Sequence, residues 1–194
     1  MFDYDPCVVA KPSRAAYEDL LALPHNHVGE ILLGVLHAHP RPAIAHAHAA
    51  SVLGGELSGP FHRGRGGPGG WIILDEPELH LGKEPDVVVP DLAGWKRTRM
   101  AHAPDAPHVS LPPDWVCEIL SASTEAVDRS DKMTIYGRER VAHAWLIDPI
   151  VKTLEIFRLD GETWRMLNTF RGNAVVRAEP FDAIELELGA LWER

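Results

Sequence analysis

Two carboxylates stand inside apolar segments of the chain that read as strands. Asp91 follows the apolar run VVVP (87–90), and Glu118 lies within WVCEIL (115–120). A charge removed from water is costly unless it is paired, hydrogen-bonded or bound to a metal. If the two strands are neighbours, both side chains can project to one face. They would then offer hard oxygen ligands to a divalent cation such as Mg²⁺.

A lysine follows these carboxylates on a predicted helix. Lys132 comes 14 residues after Glu118, and in a helix it shares one face with Ile135 and Tyr136. The ammonium is therefore predicted to point toward the sheet, and Tyr136 is predicted to serve in packing. Beside two carboxylates, an ammonium offsets their repulsion. It can also stabilise charge on a phosphoryl group or orient an attacking water.

The elements that must position these residues are short helices and strands. Helices are predicted at 12–24, at 43–57, and from Asp128, as the cap, to about Glu139. Strands are predicted at 28–40 with a turn or bulge at Gly34, and at 71–75, 79–81, 86–95, 115–120 and 143–149. A hairpin joined at Asp160-Gly161 follows. The glycine-rich segment 59–70 is predicted to be a flexible loop. The pattern predicts an α/β or α+β fold in one domain.

Composition narrows the class of protein. Of the 194 residues, 45% are hydrophobic and 24% are charged, which is ordinary for a globular domain with one core. The two cysteines, Cys7 and Cys117, cannot build a disulfide framework, so a cytoplasmic location is expected. No run of 18 apolar residues occurs, and no membrane association is predicted.

The net charge of −9 argues against a protein that binds polyanions over its whole surface. It leaves room for a local basic cleft, because the field at a site depends on the residues near it. Basic residues do cluster, at Arg63 and Arg65 in HRGRGG and at 96–99 in WKRTRM.

The ordered set of motifs resembles a known family. A PD pair, an E-x-L in an apolar strand, a lysine on the next helix with a tyrosine four residues later, and WLIDP follow one another. From about Glu30 to about Leu188, the chain is similar to the Uma-two family of restriction-endonuclease-like proteins in the PD-(D/E)XK nuclease superfamily. The resemblance implies a mixed β-sheet flanked by helices. It implies a single restriction-endonuclease-like domain over 1–194, with a short N-terminal helical extension at about 1–27.

The resemblance also implies a metal site. Mg²⁺ or Mn²⁺ would be held by Asp91, Glu118 and the backbone carbonyl of Ile119, and these residues with Lys132 would carry out phosphodiester cleavage. The lysine of the superfamily normally lies two residues after the glutamate, but Leu120 occupies that position here. Lys132 is therefore the expected substitute, reaching the same space from the helix.

Three further residues match parts of the family's pattern. Glu30, in VGEILLG, resembles the acidic residue of the first motif and would complete the site. His46 resembles a histidine at the head of a helix, without an assigned task. The segment EPDVVVPD contains the PD pair twice, so Asp86 remains an alternative to Asp91.

Histidine pairs offer a second metal-binding hypothesis. H-x-H occurs at 25/27, 37/39 and 46/48. Residues i and i+2 face the same way in a strand, so His37 and His39 could chelate a transition metal. In a helix the same spacing turns the side chains apart, so His46 and His48 are not expected to share an ion.

Two functions are consistent with these patterns. The favoured one is a metal-dependent endonuclease acting on nucleic acid, with DNA as the expected substrate and a homodimer as the expected assembly. The alternative is a non-catalytic module that retains the nuclease fold for binding or assembly. The acidic net charge and the displaced lysine favour this alternative.

Overall fold

The computed structural model of the chain describes residues 14–25, 27–40 and 43–193. Cys7 and much of the predicted N-terminal extension lie outside the described residues. The part of the extension that is described contains a short helix, α1. Its bounds are Tyr17–Leu21.

Strands dominate the described residues and form three sheets. In chain order, the strands are β1 His27–Leu32, β2 Val35–Pro40, β3 Trp71–Asp75, β4 Leu79–Leu81, β5 Asp86–Val88, β6 Leu92–Lys96, β7 Trp115–Ile119, β8 His143–Asp148, β9 Thr153–Asp160, β10 Thr163–Arg171, β11 Val175–Val176 and β12 Leu186–Glu187. The largest sheet has the order β10-β9-β8-β7-β6-β3, the second has the order β2-β1-β5-β4, and β11 pairs with β12. Within the largest sheet β7 and β8 are parallel and the other pairs are antiparallel.

Helices cover the largest sheet. The helical segments after α1 are α2 Ile44–Leu57, a π-helical turn Ser58–His62, α3 Glu125–Val127, a second π-helical turn Asp128–Lys132, α4 Met133–Arg138 and a 3₁₀ helix Leu188–Leu191. This mixed arrangement of sheets and helices confirms the predicted α/β fold class. Among the described residues, no helix is both long and apolar enough to cross a bilayer.

The two faces of β7 pack against different partners, and this sets the direction of Glu118. Trp115, Cys117 and Ile119 belong to the core beneath α2, whereas Val116 belongs to the core beneath α4. Because side chains alternate along a strand, Glu118 projects to the α4 face. The buried strand predicted from the sequence is confirmed, and its central carboxylate faces the helix that follows.

Three predicted elements differ in their bounds. The segment 86–95 is not one strand. The strand conformation is interrupted between Val88 and Leu92, and β5 and β6 belong to different sheets. The glycine-rich loop starts later than predicted, since α2 continues through a π-helical turn that buries Phe61. Asp128 does not cap a helix, because α3 begins at Glu125 and Asp128 lies within the helical run.

An aromatic cluster joins the C-terminal segment to the largest sheet. The Phe181 ring lies between 4.6 and 5.7 Å, centroid to centroid, from the rings of Phe61, Trp71, Trp115 and Trp145. Phe181 is 2% exposed. The cluster closes the core on the α2 face and so fixes β7, which carries Glu118.

Glu179 anchors the same segment through its carboxylate. It lies 2.8 Å from His143 Nε2 and 3.2 Å from Arg158 Nη1. The hydrogen bond with His143, assisted by Arg158, holds the pKa of Glu179 below its ordinary value. A lowered pKa in the folded chain means that the ionised carboxylate stabilises the fold.

We expect Glu179→Gln to reduce the free energy of unfolding at neutral pH by less than about 1 kcal/mol, because the carboxylate is partly exposed. This difference in the free energy of unfolding should have its full size above the ordinary glutamate pKa. It should vanish as the pH falls through the lowered pKa of Glu179. Urea denaturation at several pH values measures it. Glu162→Gln, at an exposed ion pair with Arg140, is the control and should change little. An equal loss for Glu179→Gln at every pH would contradict this account.

Candidate functional site

The strand register brings the two predicted carboxylates together. In the antiparallel pair of β6 and β7, Leu92 lies opposite Cys117. Asp91 immediately precedes β6 and Glu118 follows Cys117 in β7, so the two carboxylates lie at the same end of this strand pair. Asp91 Oδ2 also accepts a hydrogen bond of 2.6 Å from the Ile119 amide. Both carboxylates line one cavity of about 400 Å³.

Lys132 lies at the centre of three carboxylates. Its Nζ is 3.1 Å from Glu30 Oε1, 3.1 Å from Glu118 Oε2 and 3.2 Å from Asp128 Oδ1. The three acids come from β1, β7 and the π-helical turn, and each is 3% exposed or less. The contact between Lys132 and Glu118 follows the geometry expected from the sequence.

The charge of Lys132 is set by these neighbours. Burial alone would lower the pKa of Lys132, but attraction from Glu118, Glu30 and Asp128 outweighs burial and raises the pKa well above its ordinary value. The ammonium is therefore retained at neutral pH, although the side chain is only 6% exposed. A buried cation of this kind depends on its anionic partners.

Both oxygens of Glu118 have partners within the protein. Lys132 donates to Oε2, and the Tyr136 hydroxyl donates a hydrogen bond to Oε1. Burial raises the pKa of Glu118 well above its ordinary value, with Lys132 opposing the shift and Asp128 adding to it. Tyr136, predicted to serve in packing, is fully buried and is also a hydrogen-bond donor to the site.

His46 holds the second carboxylate from the first turn of α2. Its Nε2 lies 3.1 Å from Asp91 Oδ1. Burial alone would lower the pKa of His46, but the hydrogen bond and charge of Asp91 outweigh it and raise the pKa above the ordinary value. Asp91 is thus oriented on one side by an imidazole and on the other by the Ile119 amide.

Glu30 and Asp128 complete the arrangement. Glu30 Oε1 also accepts a hydrogen bond of 2.7 Å from the Val89 amide, two residues before Asp91. Asp128 was missed as a site residue by the sequence reasoning. The available signal was its i,i+4 spacing from Lys132, which places the two side chains on one helix face.

Asp86 lies apart from this group. It is fully buried on β5, with Arg14 2.9 Å from Oδ1 and Arg138 2.9 Å from Oδ2. It does not line the cavity that holds Asp91 and Glu118. Of the two PD pairs, only the second places its aspartate in the cavity. Asp86, from the first pair, forms ion pairs with two arginines.

Two of the three histidine pairs, 37/39 and 46/48, follow the predicted directions. The rings of His37 and His39 stack on β2 with centroids 6.3 Å apart. In α2, His46 contacts Asp91, whereas His48 Nε2 lies 3.1 Å from the Ala190 carbonyl oxygen. His46 and His48 therefore serve different neighbours.

The cavity is strongly acidic. Among the residues that the structure describes, its ionisable lining consists of five carboxylates, one ammonium and two imidazoles: Glu30, Glu76, Asp91, Glu118, Asp128, Lys132, His39 and His46. The carboxylates outnumber the lysine, so the cavity carries a negative field. Such a field attracts cations and opposes the approach of free anions.

Comparisons with known proteins identify the family and the fold of the chain. A family model for Uma2, described as "Putative restriction endonuclease", matches residues 16–189. No curated protein matches the chain. A crystal structure described as "a putative nuclease belonging to DUF820", from Anabaena variabilis ATCC 29413, aligns with a TM-score of 0.72 and 20% identity. The alignment covers 90% of this chain and 96% of that chain, and it shows a shared fold. Because the family model covers most of the sequence, the chain belongs to the Uma2 family.

Proposed function

We propose that the chain is a divalent-metal-dependent nuclease that hydrolyses phosphodiester bonds, with DNA as the expected substrate. One observation carries the proposal. Asp91 and Glu118 lie at the same end of the adjacent strands β6 and β7 and line one cavity, with Lys132 Nζ 3.1 Å from Glu118. Membership of the Uma2 family supports the same chemistry.

The donors at this position fit Mg²⁺ or Mn²⁺. These ions prefer oxygen ligands and are commonly held by one or two carboxylates, with other positions left for water or phosphate. Asp91 and Glu118 would hold the ion, and the Ile119 carbonyl would add a backbone oxygen. A carboxylate oxygen can accept more than one partner, so the present contacts to His46, Lys132 and Tyr136 leave capacity for coordination.

The charge of the cavity supports a requirement for a cation. Of the described lining residues, five are carboxylates and one is an ammonium, and this charge would repel a phosphodiester entering alone. A divalent cation held by Asp91 and Glu118 would offset this repulsion and would supply Lewis-acid activation of the phosphoryl group and of water.

The residues of the chain have separate roles in this proposal. The Lys132 ammonium stabilises negative charge that develops on the phosphoryl group beside Glu118, or orients the attacking water. Tyr136 and Lys132 fix the orientation of the Glu118 carboxylate. His46 fixes that of Asp91 from α2. The two carboxylates are thereby held in place before substrate arrives.

A second candidate function rests on a different observation. Both Glu118 oxygens are already hydrogen-bonded within the protein, and the residue is 2% exposed. In a non-catalytic module that retains the nuclease fold, this cluster would serve as a structural ion-pair network. Such a module would bind a partner or assemble without turnover.

For the enzyme, Glu118→Gln and Asp91→Asn should each abolish nicking of supercoiled plasmid in Mg²⁺ or Mn²⁺ at low salt, because each removes a charged ligand. Calorimetry should show weaker Mg²⁺ binding by the same variants. Asp86→Asn is the matched control from the other PD pair: it should lower stability but retain nicking per folded molecule. Absence of both Mg²⁺ binding and nicking in the wild type would leave the binding module as the function, whereas nicking that survives Glu118→Gln would overturn the role proposed for Glu118.

The structural part played by Lys132 can be measured separately. Lys132→Met leaves three buried carboxylates without their cation and should lower the free energy of unfolding by about 3–5 kcal/mol. Adding Glu30→Gln and Asp128→Asn to this variant should recover part of the loss, because fewer like charges remain.

Urea denaturation at neutral pH measures these differences. The exposed Lys152→Met is the control and should stay close to wild type. A Lys132→Met chain as stable as the control would show that the ammonium does not balance the buried acids.

A further inference from the structure

A second group of metal-ligating side chains lies outside the acidic cavity. Glu78, His80 and His108 each offer a ligand atom, and these atoms all lie within 4.8 Å of one another. The three side chains are partly buried, and none lines the cavity that contains Asp91 and Glu118. The H-x-H pairs predicted as metal ligands from the sequence contain none of these three residues.

The backbone brings these three residues together. His80 lies in β4, Glu78 immediately precedes β4, and His108 lies in the connection between β6 and β7. The Val109 amide donates to the Glu78 carbonyl at 2.9 Å, and the His80 amide donates to the Val109 carbonyl at 3.0 Å. These two bonds attach the proline-rich connection to β4, so the side chains meet across a fixed contact.

The side chains are arranged around the Glu78 carboxylate. His80 Nε2 lies 2.8 Å from Glu78 Oε1, and the Tyr17 hydroxyl donates to the same oxygen at 2.8 Å. The rings of His80 and His108 stack with centroids 3.8 Å apart and an interplanar angle of 7°. Aromatic rings generally prefer offset or edge-to-face contacts. The face-to-face pair lies directly beside the backbone contact between β4 and the connection.

We propose that Glu78, His80 and His108 bind a zinc-like transition-metal cation that ties the connection between β6 and β7 to β4. Two imidazoles and one carboxylate are a donor set that Zn²⁺ accepts, with a fourth position left for water. Mg²⁺ selects oxygen ligands, so this site and the carboxylate pair differ in the metal they prefer. Tyr17 orients the ligating carboxylate from α1, as partners of metal ligands commonly do.

Binding requires a small rearrangement of one ring. Stacked parallel rings direct their nitrogen lone pairs side by side, whereas ligands of a tetrahedral ion must converge on it. The His108 ring has to turn about its Cβ–Cγ bond while the backbone contact at Val109 stays in place. A cavity of about 210 Å³ beside Glu78 and His108 gives room for the ring and for a water ligand.

A calorimetric titration with Zn²⁺ tests the site, with excess Mg²⁺ present to occupy the carboxylate pair. We expect His108→Asn to weaken Zn²⁺ binding by at least about a hundredfold, since loss of a ligand should exceed the effect of losing a ligand's partner. Tyr17→Phe should weaken binding about tenfold. His102→Asn, an exposed histidine of the same connection, is the matched control and should bind as wild type.

Thermal unfolding provides a second readout. Zn²⁺ should raise the Tm of wild type and of His102→Asn, but not that of His108→Asn, because an ion that binds only the folded chain stabilises it. Equal Zn²⁺ affinity in wild type and His108→Asn would overturn the proposal. A loss of affinity in His39→Asn instead would also overturn it, because the ion would then belong to the histidines near the acidic cavity. Neither outcome depends on nuclease activity.

Discussion

The ion pairs of Lys132 are the constraint on which the rest of the site depends. One ammonium contacts carboxylates from β1, β7 and the second π-helical turn, and it joins the two larger sheets to the helix. Several buried acids without a cation would repel one another and would lose their hydration without compensation. The lysine therefore permits Glu30, Glu118 and Asp128 to coexist in the interior. This balance of charge also allows Glu118 to line the same cavity as Asp91.

The helix that carries Lys132 is itself irregular. Asp128–Lys132 forms a π-helical turn between two α-helical segments, and both end residues of this turn are buried. Such turns are rare and occur often at functional sites, where they redirect side chains at a cost in regularity. Here the turn directs an acid and a base inward together, while α4 continues with Ile135 and Tyr136 against the sheet. The departure from regular helix thus coincides with the charged cluster.

The central part of the site could be predicted from sequence because it depends on short-range periodicity. The apolar run around Glu118 and the shared face of Lys132 and Tyr136 are visible in the pattern of residues. The roles of Asp128 and of the Tyr136 hydroxyl were not, since each depends on what stands opposite after folding. The separation of β5 from β6 was missed for a related reason. Both are apolar and extended, and only tertiary pairing assigns them to different sheets.

The distribution of charge along β6 constrains how a nucleic acid could lie on this surface. Asp91 precedes the strand and Lys96 ends it, so the acidic cavity and the basic end are about 17 Å apart at the rise of an extended chain. Arg97 donates to the His62 carbonyl, which brings Arg63 to the same end. Under the proposed function, these basic residues are too distant to neutralise the reacting phosphate, but they can contact phosphates further along the strand. Different residues then bind the nucleic-acid backbone and activate the scissile bond. In this proposal, activation of the scissile bond would depend on a cation held by the carboxylates.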